Sequence, residues 1–135
     1  MKRRTDEQGA ASIVLVLFTV ALLTVAGVVI DSGYAMASKR TAMHQAEQAA
    51  RVGADALNRG ALRDGVTQVD PGRAQSKAQA YLASVGATGT VTVDGGEVTV
   101  TVTGEQDTKI LSAVGIGSIP FKATATGLSI NEDTN

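Results

Sequence analysis

The chain has 135 residues, 12 Lys+Arg against 13 Asp+Glu, one His, no Cys and no Trp. A formal net charge of −1 lacks the electrostatic footprint of a nucleic-acid binder. The missing cysteines exclude disulfides, thiolate zinc sites and a cysteine nucleophile, and a lone histidine excludes a multi-His metal site.

Apolar residues make up 44% of the chain but aromatics only 3%, so Ala, Val, Leu, Ile and Met carry the apolar content. They are unevenly spread. Residues 1–8 form a basic leader with Lys2, Arg3 and Arg4. From Gly9 to Ile30 there is no charge, amide, histidine or proline. The polar groups there are Ser12, Thr19 and Thr24, whose hydroxyls can bond back to helix carbonyls. At about 1.5 Å per residue this run is about 33 Å long, close to the ~30 Å hydrocarbon core of a bilayer. It predicts a transmembrane helix over 9–30. A buried helix of a soluble protein is the alternative, and it needs an apolar cover that the remaining residues are too poor in aromatics to supply. The basic leader predicts a cytoplasmic N-terminus and an exported segment 31–135, in a single pass of the cell membrane. A competing reading is a secretory signal cut at Ala35-Met36-Ala37, which has the small-x-small form of a cleavage site.

Residues 31–59 read as an exported continuation of the same helix. Small or apolar residues recur at Ala35, Ala42, Ala46, Ala49, Gly53, Ala56 and Leu57, in steps that mark one helical face. Glu47 and Arg51 stand four apart in the favourable order. Asn58-Arg59-Gly60 reads as a C-terminal stop. A stripe of small side chains lets another backbone approach closely. Two occupants are open: the chain's own C-terminal domain, or sister helices in an assembly. Asp31, directly after the apolar run, either marks the membrane interface or pairs with a basic group of a neighbouring subunit.

Residues 60–130 read as a small α+β head and 131–135 as a polar tail. A loop over 60–71 carries the turn signals Asp64-Gly65 and Asp70-Pro71-Gly72. A short helix follows, capped by Asp70, started by Pro71 and stopped at Gly86. The period then switches from 3.6 to 2. Thr90 to Val93 and Val98 to Thr103 flank Asp94-Gly95-Gly96-Glu97, a hairpin signal. With Gly95-Gly96 as the loop, Val93 faces Val98, Val91 faces Val100 and Thr92 faces Thr99. This gives one dry valine face and one wet threonine face. Ile110, Leu111 and Val114 have helical spacing interrupted by Gly115 and Gly117, so 105–118 reads as a helical turn and a loop. Ile119 to Leu128 alternates as a third strand, with Pro120 placing it at an edge. The fold class expected is α+β: a long N-terminal helix, a second short helix and a small three-stranded antiparallel sheet.

Catalytic patterns are absent, and neither a cofactor nor a small-molecule substrate is expected. His44 reads as a polar residue of the helix surface, with a metal or proton role as the alternative. Gly115-Ile116-Gly117 lacks the third glycine and the strand-turn-helix setting of a nucleotide fingerprint. Asp64, Asp70 and Asp94 sit in turns, where aspartate caps the backbone; a weak calcium site is the alternative. The threonine face reads as a solvated sheet surface, with sugar binding as its rival.

The layout resembles the TadE/TadG-like proteins of the tight-adherence (Flp) pilus system, especially the short actinobacterial members. The resemblance rests on Asp6-Glu7-Gln8-Gly9 before the apolar run, on Val29-Ile30-Asp31-Ser32-Gly33-Tyr34 with Arg40 and 45–54, and on the pattern of 98–103 and 117–126. Asp31, Gly33 and Tyr34 would then form its membrane-exit motif. The resemblance implies a pilin-like or minor-pilin-like structural component that works with sister subunits or other pilus and secretion-system proteins. Some relatives are cut after a glycine by a prepilin peptidase; here that glycine would be Gly9, leaving Ala10 first. Val14 departs from the wider pilin pattern, which has a glutamate at that place. The rival function is a membrane-tethered exported module that binds a soluble partner or a surface glycan.

Overall fold

The computed structural model describes the backbone of residues 4–64 and 70–129, and the side chains of 9–56 and 70–129. The polar tail and most of the loop expected between the helices lie outside the described residues.

Helix α1 runs from Arg4 to Asp64, 61 residues, or about 90 Å at the α-helical rise. Both prolines, Pro71 and Pro120, lie beyond it, so nothing removes an internal hydrogen bond. The helix passes straight through the stop expected at Asn58-Arg59-Gly60. A single glycine costs a helix only about 1 kcal/mol relative to alanine, and Ala61-Leu62-Arg63 are good helix formers. Thr19 and Thr24 donate their hydroxyls to the carbonyls of Leu15 and Val20, each at 2.8 Å. Both threonine hydroxyls of the apolar run are thereby satisfied within the helix itself.

Helix α1 is long and apolar enough to cross a membrane. Its apolar side chains are uncovered: Leu17 is 65% exposed, Phe18 59% and Val29 68%. The core helix of a soluble protein is mostly buried, and among the described residues these positions are not.

Helix α2 spans Pro71–Ser84. Asp70 caps it as its sequence predicts, accepting from the backbone N–H groups of Gly72 at 3.0 Å and Arg73 at 3.3 Å. Removing this acceptor in Asp70→Ala leaves two helix-end donors to water and is expected to cost about 1 kcal/mol. Thermal unfolding of the detergent-solubilised chain checks it, with a small fall in midpoint as the expected result.

Strands β1 (Thr88–Asp94), β2 (Glu97–Asp107) and β3 (Ser118–Leu128) form an antiparallel sheet in the order β1-β2-β3. The hairpin register is the expected one: Val93 pairs with Val98, Thr92 with Thr99 and Val91 with Val100. Gly95 takes φ +60 in the two-residue loop, which an L side chain rarely adopts. Strand β3 is an edge strand, so Pro120 is tolerated there. Opposite Phe121 stands Gly104; a side chain at Gly104 would meet the Phe121 ring at 2.5 Å. Strand β2 runs four residues past the expected Thr103, as far as Asp107. A 3-10 turn, Leu111–Val114, then links it to β3.

The valine face packs on the helices. Val98, Val100, Val102 and Val91 are buried, together with Leu82 of α2 and Ala123 of β3. Helix α1 lies along β3 and β2, and α2 lies along β1. On the opposite face, threonine hydroxyls bond across strands, Thr99 to Thr126 at 3.3 Å and Thr101 to Thr124 at 3.0 Å.

Candidate functional site

The stripe of small residues is where the head sits. Ala46 and Ala49 are fully buried, Ala42 is nearly so, Gly53 is buried and Ala56 is half-buried. Their cover is α2 and the sheet of the same chain. A side chain at Gly53 would meet Val98 Cγ1 at 2.8 Å and the Ala74 carbonyl at 3.4 Å. At Gly127 of β3, the added carbon would lie 2.6 Å from the Ala50 carbonyl oxygen. Alanine and glycine alone permit this approach of strand to helix. Of the two occupants the sequence leaves open, the chain's own head fills this face over Ala42 to Gly53.

The second feature is Asp31. It is 1% exposed, although it follows directly on an uncovered apolar run. Its carboxylate Oδ1 accepts from the Lys109 N–H at 2.9 Å, and Oδ2 accepts from Ile110 at 3.0 Å and Leu111 at 2.7 Å. The 3-10 turn has no cap from the residue before it, Ile110, and Asp31 caps it from across the fold. A carboxylate held by several backbone donors at a helical N-terminus is a strong charge-assisted arrangement. Burial pushes the Asp31 carboxyl up. The N–H groups of Leu111, Lys109 and Ile110, with the Lys109 ammonium, outweigh it and hold the pKa below the ordinary aspartate value. Asp31 is thus engaged within its own chain.

Around Asp31 the head touches the helix closely. A side chain at Gly27 would meet Ile110 Cγ2 at 2.8 Å. The Lys109 ammonium lies 5.6 Å from the centre of the Tyr34 ring, within cation–π range. Ser38 donates its hydroxyl to Gln106 Oε1. Gly33 has open space about it, so no contact among the described residues requires a glycine there.

The remaining candidates stay apart. Gly9 and Ala10 lie exposed within α1. His44 is exposed, with Nδ1 3.6 Å from Glu47. Asp70 is a cap, Asp94 closes the hairpin and the Asp64 side chain is outside the described residues. Gly115 to Gly117 follow the 3-10 turn and lead into β3. Among the described residues no three His, Asp or Glu side chains are grouped to hold a metal.

The Asp31 cradle is the feature that sequence reasoning missed. Its signals were a carboxylate at the end of an apolar run and helical spacing at Ile110, Leu111 and Val114. Nothing local linked the two.

In comparisons with known proteins, residues 9–56 match the model of a family described as putative Flp pilus-assembly TadE/G-like. The match covers the apolar run, Asp31 and the small-residue stripe. No curated protein and no solved structure matched the chain.

Proposed function

We propose, with the TadE/G-like match of residues 9–56 as the premise, that this chain is a pilin-like or minor-pilin-like structural component of a Tad (Flp)-type pilus or a related secretion system. The match of residues 9–56 supports the coarser part of this, a role related to Tad pilus assembly. In the finer reading the N-terminus is cytoplasmic, residues 9–30 cross the cell membrane and the head is exported. The partners are the membrane and sister subunits or other pilus proteins, and the role is packing and display with no catalytic step.

One observation carries the reading. The small-residue stripe is covered by the chain's own head, while the apolar run before it is exposed along most of its length and meets the head toward its Asp31 end. The surface left for lipid and for sister helices is therefore the run itself, not the stripe. Van der Waals contact between such helices is a sufficient basis for association within a membrane.

Because the chain has no cysteine, single cysteines report cleanly. Leu15→Cys and Leu22→Cys replace uncovered residues of the run. In cells expressing the pilus system, oxidative cross-linking is expected at positions three or four apart along 13–29, to a second copy or to another pilus protein. No cross-link at any position of the run, with Thr92→Cys on the head capturing a soluble partner instead, would favour the tethered binding module. Intact mass reports processing: a mature chain beginning at Ala10 supports a cut after Gly9, and a full-length chain supports a signal anchor.

A further inference from the structure

The head does not stop at the end of the apolar run. Its 3-10 turn reaches back along the helix beside residues that the membrane reading places inside the bilayer. Ile110, Leu111, Ala113 and Val114 form one wall of an apolar groove of about 280 Å³, and Val20 and Leu23, with Thr24, form the other. Val20 lies eleven positions before Asp31, about 16 Å along the helix axis. If Gly9 to Ile30 fill the hydrocarbon core, this groove lies in the outer half of the membrane.

We propose that the segment Ile110–Ile116 is a second membrane-contacting element, seated among the acyl chains of the outer leaflet, with Asp31, Tyr34 and Lys109 at the lipid–water boundary. It rests on the reading that residues 9–30 span the membrane. The occupant is lipid because the groove is continuous with the uncovered apolar run of α1.

Three further observations agree. Val114 is 50% exposed and Ile116 48%, so these side chains face outward and do not serve the core. Residues 110–121 carry no charge, and Lys109 and Lys122 bound them on either side. That is the arrangement of an apolar insert whose flanking lysines reach the headgroups. Tyr34, beside Lys109, is a residue type enriched at that level.

The backbone agrees as well. Irregular chain enters hydrocarbon only when its polar groups find partners within the protein. Here Asp31 takes the N–H groups of Lys109, Ile110 and Leu111. Ala113 donates to Ile110, Gly115 to Ser112 and Ile116 to Leu111, each at 3.1 Å. The Ser112 hydroxyl donates to the Lys109 carbonyl at 3.2 Å. The Thr108 hydroxyl faces the carbonyls of Ile116 and Gly117. The Asp31 cradle thus both docks the turn and gives three of its N–H donors a partner within the protein.

The test uses the full chain in vesicles whose lipids carry bromine at a defined acyl depth. The natural chain has no Trp, so single tryptophans report alone: Val114→Trp, Ile116→Trp, Leu17→Trp within the run and Thr92→Trp on the far face of the head. Val114→Trp and Ile116→Trp are expected to lose fluorescence to the bromines to the same extent as Leu17→Trp, with blue-shifted emission, while Thr92→Trp is not quenched. If Leu17→Trp is quenched and the two turn positions behave like Thr92→Trp, the turn lies in water: the inference fails and the spanning reading stands. If the turn positions are blue-shifted but unquenched, a protein surface covers them and the lipid assignment is overturned. If Leu17→Trp itself is unquenched, the spanning reading fails and takes the inference with it.

Discussion

Ala46→Leu is expected to destabilise the docked head by about 3 kcal/mol, at the upper end of what overpacking a closed core costs. Ala46 is fully buried in the stripe that faces α2 and the sheet. Leucine adds three carbons to a side chain that has no exposed surface, so the packed elements around it have to shift. Gly53→Val acts on the same seam, since its first added carbon already falls 2.8 Å from Val98 Cγ1 and within 3.4 Å of a backbone carbonyl. Backbone cannot give way as a flexible side chain does. Thermal unfolding of the detergent-solubilised monomer measures the effect; a loss of this size lowers the midpoint by roughly 10 °C or more for a folded unit of this size. Gln48→Leu, on the exposed side of the same helix, is expected to change it little. If the stripe served sister helices, Ala46→Leu would leave the monomer's melting unchanged and reduce only its association. That outcome would overturn the docking of head on helix.

Asp31→Ala is expected to release the 3-10 turn while the rest of the sheet persists. The substitution strips three backbone donors of their acceptor at once, and a buried donor left unpaired costs far more than an average hydrogen bond gains. Asp31→Asn retains one carbonyl oxygen but turns an N–H₂ group toward N–H groups, so it too loosens the turn. Hydrogen exchange at Lys109, Ile110 and Leu111 reads this directly, with protection falling roughly tenfold or more. The pH dependence has a definite sign. The folded Asp31 pKa lies below its ordinary value, so ionised Asp31 contributes stability that is fully present above the ordinary aspartate range. That stability is lost as pH falls through the lowered value. Protection of the three amides in the natural chain should hold through neutral and mildly acidic pH and then fall; in Asp31→Asn it should lack that step. Equal protection in both proteins at neutral pH would sink the cradle as a structural element.

These two results bear on the same architectural fact. One face of α1, from Gly27 through Asp31 and Ala42 to Gly53, carries the head along its length. Ala46 is a packing residue and Asp31 a polar clasp at the membrane end. A small, aromatic-poor sheet gains its second wall from the long helix, which offsets the limited burial available to so short a chain. The valines of the sheet close against the alanines of α1.

What could be read from the residues alone was whatever local repetition encodes. The apolar run has the length and composition of a membrane span, and no folding partner is needed to recognise that. The hairpin register follows from Gly95-Gly96 and strict Val/Thr alternation, because a period of two and a two-residue loop leave one alignment with valines on one side. Asp70, Pro71 and Gly86 bounded α2 for reasons confined to a few neighbouring bonds. Helix length was less legible, since Gly60 can stop a helix or sit inside one, and only the path of the following chain decides. Tertiary structure alone decided what covers the small-residue stripe and what holds Asp31. A stripe of alanine and glycine permits close approach without naming the partner. The clasp joins residues 80 apart in the chain, through backbone N–H groups that every residue except proline possesses.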